Sequence, residues 1–118
     1  MNEENCLDQS ALTRLHRLGG ASFVREMIDL CFQCLPPKIT VLRAAVEAGD
    51  LVGVERAAHF LKSGAANVGA RVVCDLVRQM EQLAMEKKGD RLPALQQELE
   101  AAFAQAQVQL EVEKNREP

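Results

Sequence analysis

A histidine and a lysine three positions apart are the residues of this sequence best suited to chemistry. His59 and Lys62 lie in a segment with helical apolar spacing, so their side chains are neighbours on one helix face. A neutral imidazole is a good nucleophile, because it loses its proton close to physiological pH. Attack on an acyl phosphate gives a phosphoimidazole with extra negative charge, which the Lys62 ammonium would stabilise. The pair therefore predicts phosphoryl-acceptor chemistry.

Small side chains follow the histidine along the same helix. Ser63 lies four positions after His59 and Ala66 lies seven after it, on the same face, while Gly64 follows Ser63 directly. Gly64 costs a helix about 1 kcal/mol relative to alanine, so it needs a structural or functional reason. We expect these small residues to let a partner's active site close over the imidazole. Glu55, four positions before His59, is expected on the rim of this partner-binding surface.

Two of the four cysteines offer a different chemistry. Cys31 and Cys34 have C-x-x-C spacing, which is typical of a redox pair or of half a zinc site. A redox motif normally opens a helix after a strand, whereas these residues fall within a predicted helix. A zinc site needs a second pair of ligands, for which the sequence has only scattered candidates. We favour two small, partly buried thiols and no metal site. A metal- or redox-linked bundle that uses both cysteines and a histidine stays open as an alternative.

The elements that position these residues are predicted to be helical. Ala, Leu, Glu, Gln and Arg dominate, Trp and Tyr are absent, and β-branched runs of strand length are missing. Apolar residues recur at helical spacing at about 8–18, 22–48, 51–68, 70–85 and 93–110. Gly19-Gly20 ends the first segment, and Asp50 is a good N-cap for the third. Short connections favour antiparallel neighbours. We therefore predict an all-α, antiparallel up-and-down four-helix bundle with a short extra N-terminal helix.

Two prolines complicate the second segment. Pro36 and Pro37 each lack a backbone N–H, and a proline disfavours helical angles at the residue before it, here Leu35. The segment is therefore either one kinked helix or two helices that meet at the prolines.

The third segment places His59 on its solvent side. Its apolar stripe is centred near Ala58 and Leu61. At about 100° per residue, His59 lies roughly 130° from that centre. We expect an exposed imidazole on a rigid helix.

Length and charge narrow the class of protein. A chain of 118 residues with 47% hydrophobic composition is expected to form one domain over 1–118, with a core at about 8–110 and polar tails. The net charge of −3, with basic residues scattered among acidic ones, argues against nucleic-acid binding. No apolar run approaches the roughly 20 residues of a membrane span, and the N-terminal residues are too acidic for a signal peptide. We expect a cytoplasmic monomer.

The run from Ala58 to Ala70 resembles the signature of histidine phosphotransfer (HPt) domains of bacterial two-component phosphorelays. It reads AHFLKSGAANVGA: a histidine, any residue, a leucine and a lysine, then small residues and an N-[LV]-G-A ending. Ser63 departs from the commonest pattern, in which glycine stands four residues after the histidine, but serine is small enough to keep access. The resemblance covers most of the chain apart from its tails, including Leu15–Gly20, the Pro-interrupted second helix, Ala48–Asp50 and Val77–Ala84.

The resemblance implies a phosphoryl carrier. His59 would be phosphorylated by a receiver-domain aspartyl phosphate or a kinase, and Lys62 would stabilise the phosphoryl group. The partners would be response-regulator receiver domains and a hybrid sensor histidine kinase. No phosphate-cradling glycine loop occurs, so we expect no autonomous kinase activity and no cofactor, with Mg²⁺ on the partner receiver. The alternative is a non-phosphorylated adaptor bundle that binds a receiver or kinase.

Overall fold

Four antiparallel helices form the bundle. The computed structural model describes residues 6–116. Its helices are α1 (Gln9–Ala48), α2 (Leu51–Asn67), α3 (Arg71–Met85) and α4 (Leu92–Lys114). Helices α1 and α3 each pack against α2 and α4, so the four close in a ring around one core. The predicted all-α four-helix bundle is confirmed. Among the helices of the described residues, none combines the length and hydropathy that crossing a membrane requires.

The predicted short N-terminal helix is the first part of α1. The carboxylate of Asp8 caps this part by accepting the backbone N–H of Ser10 at 3.0 Å. Gly20, at φ +74° and ψ −170°, separates it from the rest of the helix. Glycine adopts this conformation readily because it has no Cβ. The break redirects the chain, so that the residues before it reach the connection between α2 and α3.

Helix α1 continues through Pro36 and Pro37. Within α1, the residue with non-helical backbone angles is Gly20. Leu35 keeps helical angles before Pro36, so the expectation that the proline moves it away from them was wrong. Two lost backbone donors cost stability, about 3 kcal/mol for an interior proline. Burying one large aliphatic side chain contributes about 1.5–3 kcal/mol. The buried residues keep helical spacing across the prolines, and a break would misplace several of them: Val24, Ile28, Cys31, Leu35, Ile39 and Leu42.

The N-terminal segment is tied to the connection between α2 and α3. Leu7 and Ala70 form an isolated antiparallel bridge. The Asp8 N–H donates to the Gly69 carbonyl oxygen at 2.6 Å, and the Arg71 N–H donates to that of Cys6 at 3.0 Å. Cys6 and Leu7 are buried, so the core reaches residues ahead of the first predicted helix. The predicted polar tails fall partly on residues 1–5 and 117–118, which lie outside the described residues.

Helix α4 is longer than the apolar spacing predicts. It ends at Lys114, about one turn beyond the expected end near residue 110. The Lys114 ammonium lies 2.7 Å from the carboxylate of Asp29 on α1. A cation in the last turn also interacts favourably with the helix dipole. This ion pair holds the last turn of α4 against α1.

Replacing Gly69 by alanine is expected to lower the free energy of unfolding by about 2–4 kcal/mol. Its φ of +75° costs an L residue about 1–2 kcal/mol. An added Cβ would also lie 2.6 Å from the backbone oxygen of Asp8, and such overpacking costs about 1–3 kcal/mol. Gly49 is the matched control, because its φ is +69° with nothing within 4 Å of the added carbon. Urea unfolding should show the smaller loss for Gly49→Ala. Equal losses of unfolding free energy in the two variants would mean that the backbone at Asp8 can move away from the added carbon without a free-energy cost.

Candidate functional site

Helix α2 presents His59 to solvent. Its side chain is 66% exposed, whereas Ala58 and Leu61 are fully buried against the rest of the bundle. The helix begins after Asp50, whose carboxylate accepts the backbone N–H of Gly53 at 3.0 Å, as expected of an N-cap. Burial on one face and a capped start fix the helix, so the imidazole stands on a rigid base.

A carboxylate on the neighbouring helix links His59 to Lys62. Glu81 of α3 lies with Oε2 2.9 Å from His59 Nδ1. Its other oxygen, Oε1, accepts a hydrogen bond from the Lys62 ammonium at 2.8 Å. The Glu81 side chain is only 13% exposed, and that of Lys62 is 30% exposed. One partly buried carboxylate therefore positions both residues of the predicted catalytic pair.

The charge of Glu81 fixes which imidazole nitrogen is free. Burial of the Glu81 carboxyl favours its neutral form, but hydrogen bonds from Lys62 and His59 and the Lys62 charge outweigh burial, and the pKa of Glu81 lies below its ordinary value. An ionised carboxylate can only accept hydrogen bonds, so Nδ1 of His59 must carry the proton that faces it. In the neutral imidazole, Nε2 then holds the lone pair of a nucleophile.

Sequence reasoning did not identify Glu81 as part of the site. Its contact with His59 depends on the register between α2 and α3, which apolar spacing on each helix does not define. One signal was available. Glu81 lies four residues after Val77 and three before Ala84, both buried, so a carboxylate borders the apolar stripe of α3. Such a residue needs a charged or hydrogen-bonding partner.

The other predicted site residues lie along the same side of α2. Ser63 and Ala66 are exposed, and Glu55 is half-buried. In the described part of the chain, His59 pairs with Glu81 and not with Glu55. These placements show where the residues lie, while their contacts with a partner stay predictions.

Gly64 has a packing role that the sequence did not reveal. A Cβ at this position would lie 2.6 Å from Cδ2 of Leu35, which is fully buried on α1. Glycine therefore lets α1 and α2 approach closely, which accounts for a residue that is unfavourable in a helix interior.

An apolar groove between α1 and α2 adjoins His59. It encloses about 410 Å³, and its wall includes Met27, Leu30 and Leu35 of α1. Phe60, next to His59, also lines it and is partly exposed, with the Lys38 ammonium 4.8 Å from its ring centroid. The imidazole thus stands between the carboxylate of α3 on one side and an apolar groove on the other.

The C-x-x-C pair lies on the wall of this groove. Cys31 is buried and Cys34 is exposed, and both thiols are free. Burial, with a smaller contribution from Cys34, raises the pKa of Cys31 to about 12. Cys31 therefore stays protonated at neutral pH, unlike the activated thiolates of redox motifs. Within residues 6–116, no three His, Cys, Asp or Glu side chains come together as metal ligands.

Lowering the pH should remove a stabilising contribution of Glu81. Its pKa is lower in the folded chain than the ordinary value of 4.5, so folding favours the ionised form. The contribution is fully present above 4.5 and is lost as the pH falls through the folded-state pKa. We expect Glu81→Gln to lose less unfolding free energy than wild type between pH 7 and pH 3 in urea titrations. Glu98→Gln, the same change at an exposed site on α4, should keep the wild-type difference. A Glu81→Gln profile parallel to wild type would contradict the assigned ion pairs.

Comparison with known proteins gives three consistent matches. The family model described as Hpt domain matches residues 26–113. The Sensor protein TorS of Escherichia coli (strain K12) is 30% identical over 82 residues, which cover 70% of this chain but only 9% of TorS. The crystal structure of histidine-containing phosphotransfer protein B (HptB) from Pseudomonas aeruginosa PAO1 is similar with a TM-score of 0.89 and 25% identity. That likeness covers 98% of this chain and 100% of the HptB chain.

Proposed function

Because the chain belongs to the Hpt domain family, we propose that it works by histidine phosphotransfer and carries the phosphoryl group on Nε2 of His59. The observation that carries this proposal is the Glu81 carboxylate, which pairs with Nδ1 at 2.9 Å and with Lys62 at 2.8 Å. That arrangement leaves Nε2 as the free nucleophile of an exposed side chain. It also holds an ammonium ion one helix turn away.

Phosphoryl transfer requires this chain mainly to position the His59 nucleophile and to balance charge around it. An aspartyl phosphate of a receiver domain is attacked by the Nε2 lone pair of His59, and the P–O bond breaks as the N–P bond forms. The leaving electron pair returns to the receiver carboxylate. The proton stays on Nδ1, where Glu81 balances the positive charge of the phosphoimidazole ring. The reverse sequence passes the phosphoryl group to a second receiver.

Lys62 stabilises the charge of the transferring group. Its ammonium is hydrogen-bonded to Glu81 before transfer, and it lies on the same helix face as His59, three residues away. A phosphoryl group on Nε2 adds negative charge close to this cation. We infer that Lys62 turns from Glu81 toward the phosphoryl oxygens in the transition state. The Mg²⁺ of the reaction is expected on the receiver.

The partners are receiver domains and a hybrid sensor histidine kinase. The apolar groove beside His59 offers the receiver a surface to pack on, and a protein contact with a buried apolar centre is typical of docking surfaces. TorS, which is 30% identical to this chain over 82 residues, is itself described as a sensor protein. We propose that the chain acts as a cytoplasmic monomer and as a carrier without kinase activity of its own.

The proposal is tested by locating the phosphate. The chain is incubated with Mg²⁺ and a panel of phosphorylated receiver domains from the same genome, and the labelled product is digested with trypsin at neutral pH. Cleavage after Arg56 and Lys62 puts His59 in the peptide 57–62, whereas His16 falls in the peptide 15–17. We expect acid-labile, base-stable phosphate on 57–62. Phosphate on 15–17 would move the site, and receiver binding without labelling would support an adaptor.

A further inference from the structure

Ser63 places a hydroxyl group beside His59 on helix α2. It is exposed, it lies one turn after the histidine, and both side chains line the apolar groove between α1 and α2. A serine or threonine within a helix often donates back to the carbonyl oxygen four residues earlier. Thr40 of α1 does so, with its hydroxyl 3.3 Å from the carbonyl oxygen of Pro36. Within residues 6–116 the Ser63 hydroxyl makes no hydrogen bond, so it is available to a further acceptor.

Lys62 and Ser63 lie on opposite sides of His59. At about 100° per residue, Lys62 lies roughly 60° to one side of the histidine and Ser63 roughly 40° to the other. Lys62 donates to Glu81 of α3 at 2.8 Å, so its side of the histidine faces α3. Ser63 lines the groove together with residues of α1, so its side faces α1. A group bound to the imidazole is therefore flanked by an ammonium on the α3 side and by a hydroxyl on the α1 side.

The contact with Glu81 turns the nucleophilic nitrogen of His59 toward the side of Ser63. Oε2 of Glu81 lies 2.9 Å from Nδ1, so Nδ1 faces α3. The two ring nitrogens are separated by one carbon and point in widely different directions, so Nε2 faces away from α3. Side chains of a helix lean toward its N-terminus, and residues four apart are neighbours, so the Ser63 hydroxyl lies next to the imidazole. A phosphoryl group on Nε2 is therefore within reach of this hydroxyl.

We propose that the Ser63 hydroxyl donates a hydrogen bond to a phosphoryl oxygen of phosphorylated His59 and so stabilises the phosphohistidine. The inference rests on the proposed function and adds one residue to its chemistry. As the N–P bond forms and the P–O bond of the receiver breaks, the electron pair returns to the receiver carboxylate, while the serine proton stays on its own oxygen. The phosphoryl group has three strong acceptor oxygens, and their negative charge strengthens such a bond. Lys62 binds one of these oxygens and Ser63 another.

Removing the hydroxyl tests the proposal. Ser63→Ala, Ser63→Gly and Ser63→Thr are compared with wild type, with the receiver that phosphorylates wild type fastest and with Mg²⁺ held constant. Ser22→Ala is the matched control, because it makes the same change at an exposed position of α1, two residues after the break at Gly20. The ratio of kcat/KM for transfer in the two directions gives the equilibrium constant between receiver and chain. This constant depends only on the free proteins, so a residue that merely contacts the docked receiver cannot change it.

We expect Ser63→Ala and Ser63→Gly to shift the equilibrium constant about fivefold toward the receiver, which is the size of a typical net hydrogen-bond contribution. Ser63→Thr keeps the hydroxyl and should stay within about twofold of wild type, as should Ser22→Ala. A wild-type equilibrium constant in Ser63→Ala would overturn the inference, and so would an equal shift in Ser63→Thr. Either result, with normal labelling of peptide 57–62, would leave the phosphotransfer function standing. Wild type that takes no label from any receiver would instead end the proposed function itself.

Discussion

Replacing His59 by glutamine is expected to lower phosphoryl transfer to this chain at least a thousandfold, to about the level of the assay background. The carboxamide that replaces the imidazole has no nucleophilic lone pair, and no neighbouring group can take over an attack that depends on Nε2. His59 is 66% exposed but donates to Glu81 at 2.9 Å, so the free energy of unfolding should fall by no more than about 1.5 kcal/mol. The readout is acid-labile phosphate on the chain after incubation with a labelled receiver and Mg²⁺.

His16→Gln supplies the matched control for that experiment. His16 is exposed on the first part of α1, where it lines a different cavity with Arg25 and Glu113. It stands outside the Glu81 network, so its loss should leave labelling unchanged. Undiminished labelling of His59→Gln would place the phosphate elsewhere. Loss of labelling with retained receiver binding in His59→Gln would separate docking from chemistry and support the assignment.

The bundle was predictable because its apolar residues carry the periodicity of the helices. The stripe on α2 placed His59 on the solvent side, and the structure has it there. The prolines were harder to interpret. Local rules disfavour Leu35 in a helix, yet its burial and that of its neighbours favour continuity. Tertiary packing favours one helix through Pro36 and Pro37 over two helices that meet there. That packing involves other helices, so no single window of sequence contains it.

The candidate site was predictable only as far as it lies on one helix. Lys62 and Ser63 are neighbours of His59 through helix geometry alone. Glu81 joins them through the register of α3 against α2, and Gly64 is explained by the approach of Leu35 from α1. Both facts depend on how helices pack, which residue spacing within one helix does not contain.

Replacing Lys62 by alanine is expected to slow transfer about a hundredfold, mainly in kcat. The ammonium acts on charge that develops during transfer, and removing one such preorganised donor typically costs 10²–10³-fold. Lys62 is partly exposed, so solvent replaces some of its effect and the lower end of that range is expected. Lys62→Arg keeps the charge in a different shape and should lose no more than about tenfold. Single-turnover transfer at saturating receiver measures the effect, and a change confined to KM would contradict it.

A double variant shows whether Lys62 acts on the phosphoryl group or only on Glu81. In Lys62→Ala the Glu81 carboxylate loses the partner at 2.8 Å, so its negative charge could itself repel the incoming phosphate. Glu81→Gln removes that charge while its amide oxygen still accepts from Nδ1, and alone it should change transfer by less than about tenfold. If Lys62 merely neutralises Glu81, the double variant Lys62→Ala/Glu81→Gln should recover the rate of Glu81→Gln. If the ammonium stabilises the transferring group, the double variant should remain about a hundredfold slower than Glu81→Gln. We expect the second result, because a carboxamide in place of Glu81 supplies no cation to replace the one that is lost.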